Sequence, residues 1–143
     1  MRDSSKLRAW QRRGYRTEFA LVVHLRMCGF KAIRIGAGGS SPNLYYTPLP
    51  DVIASKNSSF YAFEVKRRKS GYSYVRKEQI EKLFLFMEII PISEENKHGI
   101  VAVKTGREWR FWEIEGKTKE KAERDGTFHV KPDTKSTWNP KKV

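Results

Sequence analysis

Acidic residues, cysteine, histidine and long apolar runs are all scarce in this chain, and each scarcity removes a class of function. Its 143 residues hold one cysteine, Cys28, so no internal disulfide can form, and three scattered histidines give no Cys/His spacing for zinc. A reducing, intracellular compartment is the expectation. The longest apolar stretch, Leu83 to Ile92, is broken by Glu88 and falls far short of the roughly 18 residues of a membrane span. The first residues, MRDSSKLRAWQRR, lack the apolar run of a secretory leader. Against 16 Asp+Glu stand 29 Lys+Arg, a formal charge of +13 and a pI near 10.0. A charge of that size selects polyanions as partners, nucleic acid ahead of anionic membrane.

What the chain does hold is material for a core. With 38% hydrophobic and 13% aromatic residues, a chain of this length buries roughly two thirds of its unfolded surface and folds as one domain without cross-links. The charge must then sit on a folded surface, and it is unevenly shared. Residues 1–35 carry nine basic and two acidic residues, 64–82 seven and three, and 116–143 eight and four, whereas 83–115 carry four and six. The basic excess lies in the head, one middle stretch and the tail, a distribution suited to a footprint on one face.

Hydrophobic spacing outlines the elements. Thr17 is placed to cap a helix with Glu18 in its first turn and Leu21, Val22, Leu25 and Cys28 at spacings of three and four, and Gly29 ends it. Lys31 to Ile35 reads as a short strand. Residues 36–48, GAGGSSPNLYYTP, are too rich in Gly, Ser, Pro and Asn for regular structure. Strands follow at about Asp51 to Ser55 and Phe60 to Lys66, with Asn57 and Ser58 in the turn between them. Alternation in the latter sends Tyr61, Phe63 and Val65 to one face and Ala62, Glu64 and Lys66 to the other.

A basic loop, RRKSGYSY, leads to a helix with Ile80, Leu83, Phe84 and Met87 on one stripe, which Pro91 stops. Ile100 to Lys104 and Glu108 to Ile114 read as two more strands. From Gly116 the chain is polar and lysine-rich, with only Phe128, Val130 and Trp138 as apolar anchors. It is expected to be a basic tail, 116–143, ordered weakly or by a partner, behind a 1–115 domain that starts with a basic arm, 1–16. The order helix, three strands, helix, two strands specifies an α/β fold: a mixed central β-sheet flanked by helices.

Three carboxylates stand where a core would not ask for them: Glu18 on the apolar stripe of the first helix, Asp51 at a strand start, and Glu64 inside an aromatic and aliphatic strand. Alone, each has an ordinary reading as helix-dipole partner, turn residue or solvent-facing strand residue. The spacing changes that. Pro50-Asp51, then twelve residues, then Glu64-Val65-Lys66 puts two carboxylates on neighbouring strands, and these are hard oxygen ligands of the kind Mg²⁺ prefers. Lys66 projects from the same face as Glu64. A cation there can hold or help deprotonate an attacking water and offset charge on a phosphorane-like transition state.

This pattern resembles the PD-(D/E)xK nuclease superfamily, and the surrounding text narrows it. RRGYRTE, GFKAIRI, GGSSPN, PLPDVIA, FEVKRRK and YVRKEQIEKLFLF, followed by GIVAVK and EWRFWEI, are similar in content and order to archaeal-type Holliday junction resolvases of the Hjc and Hje kind, over about residues 12–114. The resemblance implies a restriction-endonuclease-like fold and a catalytic set of Glu18, Asp51, Glu64 and Lys66. It implies Mg²⁺, with Mn²⁺ as a substitute, held mainly by Asp51 and Glu64 with Glu18 completing the cluster. It further implies a two-fold homodimer that nicks two strands of a four-way DNA junction, with no membrane and no small-molecule cofactor, in the cytoplasm and at the nucleoid of an archaeon or archaeal virus. Two departures stand out. The loop serine of many relatives aligns with Gly38, so Ser40 or Ser41 supplies that hydroxyl or the role is absent, and Leu44 to Thr47 lengthens the same loop.

The basic residues divide into groups by position. Arg12, Arg13 and Arg16 precede Glu18, and Arg67, Arg68 and Lys69 follow Lys66, so both groups are placed to reach phosphates near a scissile bond. Arg76 and Lys77 open the second helix, where backbone N–H groups also favour a phosphate. Nothing resembles a recognition helix, so branched DNA would be read by shape and phosphate placement. Phe84, Leu85, Phe86 and Ile89 make the second helix apolar on more than one face, for burial beneath the sheet or for a dimer interface. Two competing readings remain: a related nuclease acting on flaps, mismatches or single-stranded DNA, and a non-catalytic basic module that binds nucleic acid by charge alone.

Overall fold

An unbroken helix, α1 (Ser4–Met27), opens the chain in the computed structural model, which describes residues 4–35, 49–70, 72–115, 120–121, 124–131 and 134–143, with side chains from residue 14 onward. Thr17 is therefore not its cap. Leu7, Arg8, Ala9 and Gln11 favour helix, the single Gly14 costs only about 1 kcal/mol, and Thr17 lies within the helix, buried at 4% exposure. The expected stop does hold. Gly29 adopts φ 89°, its N–H donates to the Arg26 carbonyl, and Phe30 N–H donates to the Leu25 carbonyl. This is the paired closure of a helix ending on a left-handed glycine.

Five strands form the main sheet: β1 (Lys31–Arg34), β2 (Val52–Lys56), β3 (Ser59–Arg67), β5 (Lys97–Thr105) and β6 (Glu108–Glu113). Their spatial order is β1-β2-β3-β5-β6, antiparallel except for the central β3–β5 pair. A parallel pair needs a crossover. Here it contains β4 (Ser73–Arg76) and α2 (Lys77–Glu88). Between β2 and β3, Asn57 and Ser58 both take positive φ, 52° and 66°, the two-residue turn whose twist matches an antiparallel pair. It fixes the register Lys56↔Ser59 through Val52↔Phe63.

That register decides which side chains meet which helix. Val52, Ala54, Tyr61, Phe63, Ile100, Ala102 and Phe111 face α1 and pack with Leu21, Val22, Leu25 and Phe30. The opposite face presents Ala62 to Leu83 and Met87 of α2. Val101, Val103 and Trp112 share that second face with Ile80. The result is a mixed sheet between two helices, as the α/β reading requires.

Two expectations are corrected. Residues 73–76, which span the end of the loop RRKSGYSY and the expected start of the second helix, are a strand, β4, paired antiparallel with β7 (Thr127–Val130) from the segment read as a weakly ordered tail. Residues 135–138 lie along the outer edge of β6: Trp112 Nε1 donates to the Lys135 carbonyl, Phe111 N–H to Ser136 Oγ and Glu113 N–H to Thr137 Oγ1. Covering an edge strand removes its unpaired backbone groups from solvent. Trp138 then inserts edge-on among Phe30, Phe63 and Phe111 at centroid distances of 5.9, 5.7 and 5.2 Å.

The polar composition of 116–143 concealed how much order its few apolar anchors impose. Trp138→Ala should consequently lower stability by about 2 kcal/mol or more, since it empties an aromatic-lined site. Chemical denaturation of the variant measures this, and an unchanged midpoint would place Trp138 outside the core.

Candidate active site

Four side chains expected to act together do converge, at the end of β3 where β2 begins. Asp51 precedes β2, and its N–H donates to the Phe63 carbonyl while its own carbonyl accepts from Ile35 N–H, both at 3.0 Å. Its Oδ2 accepts Val65 N–H at 2.8 Å. Glu64 lies one residue before Val65, its Oε1 3.4 Å from Lys66 Nζ, with the two side chains 14% and 18% exposed. The strand alternation that put Glu64 and Lys66 on one face is what brings them together. Glu18 arrives from α1 and interacts electrostatically with Asp51 and Glu64.

Two further residues hold this arrangement, and neither was selected from the sequence. Arg34, the last residue of β1, donates Nε to Glu18 Oε2 at 2.5 Å, and its guanidinium lies 3.8 Å from the centroid of the Tyr15 ring. Gln79 in the first turn of α2 donates Nε2 to Glu64 Oε1 at 3.0 Å while its Oε1 accepts Arg76 N–H at 3.2 Å. A signal for Gln79 existed: glutamine at the third position of a helix reaches back to the backbone at the helix start.

The electrostatics show a site short of positive charge. Burial pushes the Glu64 carboxyl up to about 8, with Asp51 adding to the shift and Lys66 opposing it. Burial also raises Asp51, against the Val65 hydrogen bond and Lys66, and raises Glu18, helped by Asp51 and opposed by Arg34. Three carboxylates that each lift toward protonation form a hard-oxygen donor set suited to a divalent cation, which would restore their ionised forms. Among the described residues no three acidic or thiol/imidazole groups are already drawn together as a ready coordination cluster. Val65, Arg34, Lys66 and Gln79 each engage one of the carboxylates.

The expected DNA contacts are distributed unevenly. Arg16, Arg67, Lys69 and Arg76 are exposed, and Arg68 is half-buried with Nη1 donating to the Arg67 carbonyl. At the start of α2 the expectation is corrected in part. Lys77 N–H already donates to the Gly126 carbonyl and its ammonium is 3.7 Å from Glu81, so that backbone group is not available to a phosphate. Ser40, Ser41 and Gly38 lie outside the described residues, as do the side chains of Arg12 and Arg13.

A mixed sheet between two helices, with two carboxylates and a lysine at one strand end, is the architecture of a restriction-endonuclease-like nuclease. The family profile for archaeal Holliday junction resolvases (Hjc) matches residues 9–138. The chain belongs to that family. It is 34% identical over 104 residues to the crossover junction endodeoxyribonuclease Hjc of Archaeoglobus fulgidus, covering 72% of this chain and 70% of the relative. It is 37% identical over 99 residues to Hje of Saccharolobus islandicus, 68% of each chain. To the crossover junction endodeoxyribonuclease of Sulfolobus islandicus rod-shaped virus 1 it is 42% identical over 77 residues, 54% of this chain and 60% of the relative. The solved structure of Archaeoglobus fulgidus Hjc superposes with a TM-score of 0.60 at 31% identity, covering 81% of this chain and 85% of that one.

The shifted carboxyls have a consequence for stability. Between pH 4.5 and about 8 folded Glu64 keeps a proton that the unfolded chain has released, so stability should fall as pH rises through that window and level off above it. Asp51 and Glu18 shift in the same direction. Urea unfolding in chelator from pH 5 to 8 should therefore show declining stability, and Glu64→Gln should flatten the slope and be the more stable protein at pH 8. A slope unchanged by this substitution would remove Glu64 as its source.

Proposed function

We infer that the chain is a structure-selective endodeoxyribonuclease that resolves four-way DNA junctions by paired, Mg²⁺-dependent hydrolysis. The observation that carries this is the Asp51–Glu64–Lys66 arrangement at the β3 end, with Lys66 Nζ 3.4 Å from Glu64 Oε1, in a chain of the resolvase family. Asp51 and Glu64 would hold the metal, with Glu18 from the opposite helix completing the acidic set and Mn²⁺ able to substitute. When bound, the metal supplies Lewis acidity and lowers the pKa of water.

The protein's own groups supply position and charge. Lys66 is placed to hold the attacking water and to offset charge as the water oxygen bonds to phosphorus and one P–O ester bond breaks, the water's proton passing through solvent to the departing oxygen to leave a phosphate end and a hydroxyl end. Arg34 keeps Glu18 aligned, and Gln79 keeps Glu64 aligned, so both carboxylates keep fixed directions. The exposed Arg16, Arg67, Lys69 and Arg76 surround this end of the sheet and suit phosphates on either side of the scissile bond. Asp51→Asn and Glu64→Gln should each lower junction cleavage by on the order of 10³-fold, the loss of several kcal/mol of transition-state stabilisation, with junction binding retained. Undiminished cleavage by both variants would overturn the assignment. Equal cleavage of flaps or single strands by the wild type would replace the substrate.

A homodimer accounts for the apolar surface left over. On the face of the sheet that carries α2, β1 and β2 present Ile33, 54% exposed, and the neighbouring Ile53. Phe60 stacks on Phe86 at 6.1 Å, and Leu85 and Ile89 of α2 are 52% and 73% exposed. This surface draws on three strands and α2, beyond the scattered exposure normal for a monomer. A two-fold dimer built there would give a four-way junction the two active sites that paired nicking requires. Relatives from archaea and an archaeal virus support a DNA enzyme of the archaeal or archaeal-virus cytoplasm, acting at the nucleoid. Leu85→Asp with Ile89→Asp should convert the dimer to monomer by light scattering and replace paired nicks with single ones. A wild-type monomer at micromolar concentration would exclude this interface.

A further inference from the structure

The small sheet of β4 and β7 has a face that neither the core nor the carboxylate site uses. Its register, Ser73↔Val130, Tyr74↔His129, Val75↔Phe128 and Arg76↔Thr127, divides the side chains cleanly. Ser73, Val75, Phe128 and Val130 turn inward, where Val75 and Val130 pack with Ile80 and Trp112. Tyr74, Arg76, Thr127 and His129 turn outward, joined by Tyr72 just before the strand. Tyr72 and Tyr74 are 44% and 40% exposed.

Burial of the inner face asks only that the outer face be soluble. What stands there instead is a set of rings tied in place. Tyr72 Oη is 2.6 Å from His129 Nδ1, and His129 Nε2 is 2.7 Å from Thr127 Oγ1. The His129 ring centroid is 5.9 Å from that of Tyr72 and 6.3 Å from that of Tyr74. Hydroxyl contacts on both imidazole nitrogens fix the ring, so little rotamer freedom is left to lose when a flat partner lands on it. No acidic residue lies within β4 or β7, while Arg76 ends one strand and Lys131 follows the other, both exposed.

Aromatic rings backed by cations suit nucleic-acid bases, whose faces stack on any ring while the cations meet phosphates. The location favours the same partner. Arg76 is three residues before Gln79, whose amide touches Glu64, so the ribbon lies beside the carboxylate site. A base within duplex DNA is stacked on both sides and offers no free face. Nucleotides beside a branch point are the ones whose stacking is already interrupted, and extruding such a base is the least costly.

Resting on the resolvase reading above, we propose that the outer face of the β4–β7 ribbon, through Tyr72, Tyr74 and His129, is a stacking platform for unstacked nucleotides at the branch point. It contributes to the preference for junction over duplex, separately from the phosphate contacts. The experiment compares wild type, Tyr72→Leu/Tyr74→Leu and Tyr72→Phe/Tyr74→Phe for affinity toward a four-way junction and a duplex of equal length across a salt series. A junction carrying 2-aminopurine beside the branch reports stacking directly.

The leucine pair should weaken junction binding about 10-fold or more, change duplex binding less than about twofold, leave the salt slope unchanged and abolish quenching of 2-aminopurine by the protein. The phenylalanine pair, which keeps the rings but loses the Tyr72 hydroxyl contact to His129, should retain quenching and fall between wild type and the leucine pair in junction affinity. Thermal melting checks that the leucine pair is folded, and should it not be, each single leucine substitution carries the same comparison. A folded leucine variant that keeps the wild-type junction preference and quenching overturns the platform alone. A wild type that binds junction and duplex equally overturns the resolvase reading with it.

Discussion

One hydrogen bond anchors the arrangement on which the candidate chemistry depends: Val65 N–H to Asp51 Oδ2, at 2.8 Å. The β2–β3 ladder ends at Val52↔Phe63, and beyond it the Asp51 carboxylate takes over as acceptor for the next strand's backbone. This fixes Asp51 beside Glu64 through a bond to the backbone of β3 itself. The bond is charge-assisted, of the stronger kind, and it opposes the upward pull that burial exerts on Asp51. Rigid elements hold the other members too: β3 carries Glu64 and Lys66, α1 carries Glu18, and β1 carries Arg34. Functional groups on strands and helices are held more tightly than groups on loops.

The site therefore combines close placement with unfavourable electrostatics. Three carboxylates share one end of the sheet, and Arg34 and Lys66 are the cations drawn directly among them. Arg34 is bonded to Glu18 and Lys66 lies against Glu64, and both also pull Asp51 down, yet Asp51 still raises the two glutamates. A divalent cation would relieve this tension by favouring the ionised carboxylates, and it would supply Lewis acidity there. The basic flanks meet the same requirement at longer range, since phosphate must approach a pocket that is itself negative.

Much of this was legible in the chain because it rests on local rules. Alternation in Phe60 to Lys66 correctly separated the core-facing Tyr61 and Phe63 from Glu64 and Lys66, and the spacing of Ile80, Leu83 and Met87 found the buried stripe of α2. What escaped depends on partners distant in sequence. Ser73 to Arg76 has too few residues to declare itself a strand, and its mate Thr127 to Val130 lies more than fifty positions on, inside a lysine-rich segment. Trp138 was visible as an anchor, but its place among Phe30, Phe63 and Phe111 follows only from the path along β6. Arg34 was passed over because its role is defined by Glu18 and Tyr15, sixteen and nineteen residues earlier.

Charge is also arranged along the strand axis. The carboxyl ends of the parallel pair β3 and β5 carry Lys66, Arg67 and Lys104, and the chain continues into Arg68 and Lys69. At the opposite ends lies a groove of about 630 Å³ whose walls include Glu88, Glu94, Glu95, Glu113 and Glu115. Its charges are only partly matched, by Lys97 to Glu94 and His98 to Glu113, and Glu113 raises the Glu115 carboxyl. Such a dipolar surface orients an approaching polyanion as well as attracting it, since the acidic end repels what the basic end draws in. The net charge of +13 states only that a polyanion is favoured. Its segregation is more informative: Glu88, Glu94, Glu95, Glu113 and Glu115 line the groove at one end of the sheet, while Lys66, Arg67 and Lys104 stand at the other, the end where Asp51 and Glu64 meet.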